Sequence, residues 1–431
     1  MKDLFKKIIT DFHEGFNINP VERDLEINFK SGLKKIITIY GPRRAGKTYF
    51  LYSQINKLIR TGKYTLSDII YINFEDNRLI ELNAKELDQI LAAYSELFQN
   101  KTPILFFDEI QNVMGWSKWL RRLNDDGFRI FVTGSNSRFL SKEIATELRG
   151  RTFSYQLLPF SLKEYFRFKG IEISDNDKFS TRKMSAVSRH LKKYIEYGGF
   201  PEVLISEPFE TNTLLSEYIN SMLYRDIIER YGVKNVYVIK FLINYILENY
   251  GTYFSINKIY NFLISQNIKT GKDILYNYFQ HLEDSLFVFQ LEKMSGSIKK
   301  SVNTFRKIYL SDVGYARAGK AKINYGRAFE NVVYLELLRR GHDIHLYKND
   351  FECDFIVKSG KKILPIQVCY KLKDKTETYQ REISSLMSTM KKLNVKKGYI
   401  VTLDESDVYS KSKYEIITVP VIDFLFFEKI L

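Results

Sequence analysis

The eight residues GPRRAGKT at Gly41–Thr48 constrain the fold more than any other stretch of the chain. They follow an apolar run, IITIY, and precede TYFLYSQINKLIR, whose Phe50, Leu51, Ile55, Leu58 and Ile59 recur at helical spacing. Strand, glycine-rich turn and helix in that order predict one βα unit of a parallel sheet, with backbone N–H groups gathered at a helix N-terminus. Gly41 and Gly46 permit the tight turn, and Pro42, Arg43, Arg44 and Ala45 complete the loop. Lys47 supplies a point charge for β- and γ-phosphates and Thr48 a hydroxyl for Mg²⁺. The pattern implies a nucleoside triphosphate ligand, expected to be ATP with Mg²⁺.

A second element has the matching chemistry. TPILFFDEI places four apolar residues, Ile104–Phe107, before Asp108 and Glu109, as a buried parallel strand ending in two carboxylates would. Such a Walker B strand assigns Asp108 to Mg²⁺ and Glu109 to the attacking water. A further strand, FRIFVTGSNS, ends in Thr133, Ser135 and Asn136, where a residue sensing the γ-phosphate is expected. Arg149 and Arg151 then flank Gly150. Each is a candidate arginine finger acting on a neighbouring subunit, and each equally fits a solvated cation at a helix end.

At 431 residues and 45% hydrophobic content the chain is long enough for two to four domains with real cores. Two cysteines, Cys353 and Cys369, make no disulfide framework and point to a reducing, cytoplasmic compartment. Charges interrupt every apolar stretch of the first sixteen residues, and no run of eighteen apolar residues follows. Neither a signal peptide nor a membrane span is expected. The net charge is +15, and residues 231–330 hold 14 Lys or Arg against 7 Asp or Glu. So basic a segment favours a polyanionic partner, with DNA as the expected one.

The predicted architecture is α/β throughout, in four parts. Residues 1–160 alternate strand and helix (IITIY, IIYINF, ILFFDE, RIFVTG, TFSYQL) as a P-loop NTPase sheet. Residues 161–235 form a helical lid or connector, with a polar loop over 171–190 and with Gly198, Gly199 and Pro201 ending one helix and starting another. Residues 236–320 read as a winged-helix-like domain, with FVFQLEK and RKIYLSD as wing strands. Its basic cluster Lys269, Lys272, Lys299, Lys300, Arg306 and Lys307 is placed to neutralise DNA phosphates. Residues 321–431 run helix, three strands, helix, strand, the order of a restriction-endonuclease-like α/β core.

Such a core gathers acids around Mg²⁺ at the scissile phosphate. Glu330 and Asp354 fit the first helix and second strand, but the third strand reads Gln367 and Cys369 where an acid and a lysine belong. Lys371, two residues on, and Glu382 on the next helix are the candidate replacements. The expected state is a degenerate nuclease site.

The order IYGPRRAGKT, YINFED, ILFFDEIQNV, VTGSNSRFLS, LRGRTFSYQLLPFSLKEY, YGGFPEV, YRDI, YLSDVG, GRAFEN, CDFIV and PIQVCYK resembles a prokaryotic, chiefly archaeal, family of AAA-type ATPases. Chains of that family end in a restriction-endonuclease-like domain of unassigned function. The resemblance spans nearly the whole chain and implies ATP binding and hydrolysis by Gly41–Thr48 with Asp108 and Glu109. GGFP at Gly198–Pro201 is similar to the lid motif of signal-transducing ATPases, which implies that Pro201 packs near adenine. The expected function is an ATPase, with Lys47, Glu109 and Arg149 or Arg151 as catalytic groups, that couples nucleotide state to a DNA- or protein-binding carboxyl-terminal module, as a homo-oligomer or with a protein partner. The alternatives are an ATP-gated, metal-dependent DNA endonuclease and an ATP-holding switch that does not hydrolyse.

Overall fold

The computed structural model describes residues 1–27, 35–135, 148, 150–174, 177, 180–294, 306–319, 322–360 and 362–426. They form two units, Met1–Pro159 with Asp284–Leu286, and Phe160–Glu283 with Phe287–Leu431.

The first unit is built on five parallel strands: β1 (Ile36–Tyr40), β2 (Ile69–Asn73), β3 (Ile104–Asp108), β4 (Arg129–Gly134) and β5 (Thr152–Gln156), in the spatial order β2-β3-β4-β1-β5. Parallel strands covered on both faces are apolar at successive positions, not alternating ones, which is why β1 and β3 are short apolar runs. Side chains still alternate between the two faces. Ile70, Ile72, Leu105, Phe107, Ile130 and Val132 pack with α1 (Lys2–Gly15), α3 (Asp88–Leu97) and α4 (Trp116–Asp125). Ile37, Ile39, Tyr71, Phe106 and Phe131 pack with Phe50, Leu51, Ile55 and Leu58 of α2 (Lys47–Arg60). The central layer includes a stacked pair, Phe106 on Phe131 at 4.5 Å. Because β4 intervenes between β1 and β3, the loop leaving β1 opens onto the carboxyl edge where the strand order reverses. Ligands of open α/β sheets bind at that edge.

The second unit begins with helices α5 (Leu162–Phe168), α6 (Thr181–Tyr197) and α7 (Thr211–Ser221), the last continuing as a wider turn over Met222–Glu229. The polar loop expected over 171–190 is helical from Thr181 onward. Ser180 caps α6 by accepting the Lys183 N–H, and a sparse stripe of Val187, Leu191, Tyr194 and Ile195 buries one face among charged neighbours. A helix does not start at Pro201 either; the next begins at Thr211.

After α8 (Val236–Asn249) come β6 (Tyr253–Phe254), α9 (Ile256–Ser265), α10 (Lys272–Asp284), β7 (Val288–Glu292) and β8 (Arg306–Leu310). The strands form an antiparallel sheet in the order β6-β8-β7, so the helix pair is followed by two strands in register, Val288 opposite Leu310.

The chain then forms α11 (Tyr325–Arg339), β9 (Asp343–Lys348), β10 (Glu352–Ser359), β11 (Lys362–Cys369), α12 (Thr376–Leu393), β12 (Lys397–Thr402), β13 (Asp407–Lys411), β14 (Tyr414–Pro420) and α13 (Val421–Phe426). The six strands make one mixed sheet, β13-β14-β12-β11-β10-β9, in which β9, β10 and β11 are antiparallel and β12 returns parallel to β11. The hairpin of β13 and β14 extends the sheet beyond the strands expected from sequence. Its turn passes through Ser412 at φ 55°. No described helix is long and apolar enough to cross a membrane.

Two sequence motifs 113 residues apart meet within this unit. The buried carboxylate of Asp312 accepts the Gly199 N–H at 2.8 Å on one oxygen and the Gly314 N–H at 2.8 Å on the other. A Cβ on Gly198 would lie 1.7 Å from that carboxylate, and one on Gly199 would lie 2.1 Å from the Phe160 carbonyl. The glycines of GGFP are therefore required by YLSDVG and by the chain entering α5.

Burial pushes the Asp312 carboxyl from its ordinary 3.8 up to about 6, outweighing the two N–H bonds and the Arg339 guanidinium. Between those values the native state holds a proton that the unfolded chain has lost, so this group lowers stability as pH rises from about 4 to 6 and has no further effect above that. The loss is at most about 3 kcal/mol, at 1.36 kcal/mol per unit. Asp312→Asn is expected to flatten that part of the pH profile, measured as the urea midpoint between about pH 4 and 7; an unchanged slope assigns the dependence to other groups.

Candidate functional site

The loop Gly41–Gly46 leaves β1 and returns directly into α2, with Gly46 at φ 91° as the residue before the first helical turn. Gly41 has no room for a side chain, since a Cβ there would stand 1.9 Å from the Leu157 carbonyl just past β5. The buried Arg23 fastens the loop from outside, donating to the Ala45 carbonyl at 3.0 Å and to the Leu158 carbonyl at 2.5 Å. Arg43 pairs with Glu75 at 3.0 Å, and Arg44 adopts φ 65°.

Lys47 is buried and its ammonium is fully engaged by groups around the loop. It donates to the carbonyls of Gly41 and Pro42 at 3.2 and 3.3 Å and lies 3.1 Å from Glu109 Oε1. The Thr48 hydroxyl donates to Asp108 Oδ2 at 2.6 Å. The two ends of the sequence motifs, 60 residues apart, thus touch at the carboxyl edge of the sheet. Tyr71 donates to the same Asp108 oxygen at 3.0 Å, and the Thr133 hydroxyl donates to the other. Thr133 Oγ1 also accepts the Glu109 N–H at 2.9 Å. That bond helps to hold Glu109 in the left-handed region, φ 51°, which is uncommon for a residue with a side chain.

Burial, reinforced by the neighbouring Glu109, raises the Asp108 carboxyl above its ordinary range despite the hydroxyls and Lys47. Glu109 moves the other way. Burial opposes its charge, but the Lys47 ammonium and the bond from Gln111 hold it below the usual range. One carboxylate is therefore kept ionised beside a cation while the other is surrounded by hydroxyls that hard-cation ligands would share.

Ser135 is buried just past β4, 3.5 Å from the Gln111 amide. Asn136 and Arg149 lie outside the described residues, as do Lys299 and Lys300. Arg151 precedes β5 and pairs with Asp125 at 2.8 Å. Its backbone accepts from Ile36 at the amino edge of the sheet, one strand length, about 16 Å, from the loop. Arg23, Tyr71 and Gln111 were not foreseen. Tyr71 carried a signal, a hydroxyl inside the apolar run IIYIN, whereas Arg23 sits in an unremarkable polar stretch.

The acids expected of a nuclease-like site also meet, inside the second unit. Glu330 of α11 and Asp354 of β10 share a cation, and it is Lys307. This side chain, expected on the DNA-facing wing, is 4% exposed; its ammonium lies 3.1 Å from Glu330, 3.0 Å from Asp354 and 2.9 Å from Glu352. It is withdrawn from any DNA interface because β8 runs against α11 and β10. Arg306 on the same strand is half-buried and engaged with Glu292 at 3.2 Å and Gln290 at 2.7 Å.

Gln367 does reach the pocket, accepting the Asp354 N–H at 3.3 Å and donating to Glu382 at 2.6 Å. The Cys369 thiol, pushed by burial up to about 12, bonds to the Lys371 carbonyl. Lys371 is not the replacement lysine: β11 has ended, and its exposed ammonium lies 3.5 Å from Asp374. Burial and the adjacent Asp354 push Glu330 up to about 7 against the pull of Lys307. Burial opposes the charge of Lys307, but Asp354, the Tyr309 phenol, Glu330 and Glu352 together raise it.

The family described as AAA domain matches residues 33–166, and domains of unknown function, DUF8612 and DUF4143, match 188–322 and 325–422. An uncharacterized protein of Methanocaldococcus jannaschii is 38% identical over 401 residues, 91% of this chain and 87% of that one. Another of Haemophilus influenzae is 32% identical over 349 residues, covering 79% and 84% respectively. Among solved structures, Cdc6p from Pyrobaculum aerophilum is 13% identical over 63% of this chain and 83% of its own, at a TM-score of 0.25, which is too low to carry an argument. The chain belongs to the family of AAA-domain proteins that includes these archaeal and bacterial relatives.

Proposed function

We propose that the protein is an ATPase whose nucleotide state governs a DNA-binding carboxyl-terminal half. The observation that carries the first part is the contact of Thr48 with Asp108 at 2.6 Å beside the Lys47–Glu109 pair at 3.1 Å. Mg²⁺-ATP would supply the transferable phosphoryl group and the cation that neutralises charge developing on it. Thr48 and Asp108 are the residues that would hold the metal. Lys47 would exchange its carbonyl and carboxylate partners for phosphate oxygens, which would free Glu109 to orient a water and take its proton. Tyr71 and Thr133 keep Asp108 aimed throughout.

Lys47→Ala is expected to abolish turnover and weaken nucleotide affinity, because the phosphates lose their flexible cation. Glu109→Gln should retain Mg²⁺-ATP but lose about 10²–10⁴ in turnover, the usual worth of a general base. Equilibrium binding and phosphate release measured on both variants separate the two roles. If Glu109→Gln hydrolyses ATP like the parent, Glu109 is not the base.

For the second part the support is the helix pair α9 and α10 with its wing, in a segment of strong positive charge. Lys269 and Lys272 are exposed at the start of α10, the second helix of the pair. The restriction-endonuclease-like reading of the last domain is supported by the order helix, three antiparallel strands, helix, parallel strand. A chemically silent pocket is the reading that fits Gln367, Cys369 and the outward Lys371. Duplex DNA binding should therefore be salt-dependent, little selective for sequence and without cleavage. Reversing Lys269 and Lys272 to Glu should lower affinity and flatten the slope of log affinity against log salt by roughly 0.9 per lost phosphate contact. Fluorescence anisotropy with ATP, ADP or neither reads both binding and coupling; no binding at about 50 mM salt redirects the proposal to a protein partner.

A further inference from the structure

An ammonium has three N–H donors, and Lys307 directs its own at three carboxylates: Glu330 Oε1, Glu352 Oε1 and Asp354 Oδ1, all within 3.1 Å. Nothing in that count is left for a phosphate oxygen or a water. Two of these carboxylates are engaged further. Glu330 Oε1 also takes the Tyr309 hydroxyl at 2.7 Å, and Asp354 Oδ2 takes the Val368 N–H at 3.0 Å. Glu352 and Asp354 are two apart on β10 and so share a face, while Glu330 comes from α11.

Three carboxylates converging from a strand and a helix are the oxygen set that hard divalent cations take. Yet among the described residues no group of three or more His, Cys, Asp or Glu is disposed to hold a metal ion. The place is filled by the tip of a buried side chain delivered from another sheet.

We propose that Lys307 is the resident cation of this pocket, standing where a divalent metal would sit, so that the carboxyl-terminal domain is metal-independent and a divalent-cation site appears only when the ammonium is removed. The reading rests on the geometry around Lys307 and is independent of the ATPase assignment. It explains how acids of the nuclease-like pattern coexist with the loss of lysine and glutamate from β11: a fixed univalent charge keeps the acids together without offering an open coordination position. It also makes Lys307 a tether between β8 of the wing hairpin and the helix and strand of the six-stranded sheet.

The test is Mn²⁺ binding by the full-length protein, followed by electron paramagnetic resonance, with thermal unfolding as a second readout. Any Mn²⁺ held at Thr48 and Asp108 is common to all variants and cancels in the comparison. Lys307→Ala and Lys307→Met are each expected to gain one Mn²⁺ per chain over wild type and to have their unfolding temperature raised by Mn²⁺. Lys307→Ala combined with Asp354→Asn should lose that gain, and wild type should show no Mn²⁺ that Asp354→Asn removes. A wild-type site lost in Asp354→Asn would overturn the proposal, because metal and ammonium would then coexist. Folded lysine variants that gain no site would overturn it too. If neither lysine variant folds, the wild-type and Asp354→Asn comparison still decides.

Discussion

A charge placed away from water must be met by partners fixed in advance, because the desolvation cost is several kcal/mol per ion and is recovered only with good geometry. That constraint organises this chain. Asp108 is completely buried at the end of β3 and is tolerable there because hydroxyls from Thr48, Tyr71 and Thr133 converge on it from α2, β2 and β4. Those residues come into reach only if the strands lie in the order found, with β4 beside both β1 and β3. The carboxylate at the end of β3 is also a reason the sheet closes in one register.

The same rule operates away from the nucleotide site. Asp312 joins the turn after α6 to the segment after β8 through two backbone N–H groups, and the tight approach leaves Gly198, Gly199 and Gly314 no space for side chains. Lys307 joins β8 to α11 and β10 through three carboxylates. Both anchors lie on or just after β8, so this strand connects the three-stranded and six-stranded sheet parts of the second unit. A displacement of β8 would have to break those bonds or carry their partners along.

Function follows from which buried charges can be exchanged. Lys47 is held by two carbonyls and one carboxylate, partners that an incoming phosphate can replace with stronger ones of the same kind. Lys307 has three carboxylates, and no neutral or singly charged ligand improves on them. The first lysine is poised for a ligand and the second is sealed, although both are buried cations beside acids.

The local sequence determined the parts whose signals are short-range. Glycine spacing and the flanking apolar runs specified the loop at Gly41–Thr48, and the run ahead of Asp108 and Glu109 specified a buried strand, because backbone conformation and strand burial depend on neighbours in sequence. Helix α6 was only partly legible, since its apolar stripe is sparse and its capping Ser180 is one of many polar residues. Which side chains meet was decided by tertiary structure. Lys307 reads as one more basic residue on a wing strand, and Lys371 as the better-placed lysine on β11. Packing of β8 against α11 turns the first inward toward Glu330 and Asp354, while the end of β11 releases the second to solvent. Arg23, distant in sequence from both carbonyls it binds, is the same case: a long side chain's partners are set by the packing of remote elements, which no local pattern encodes.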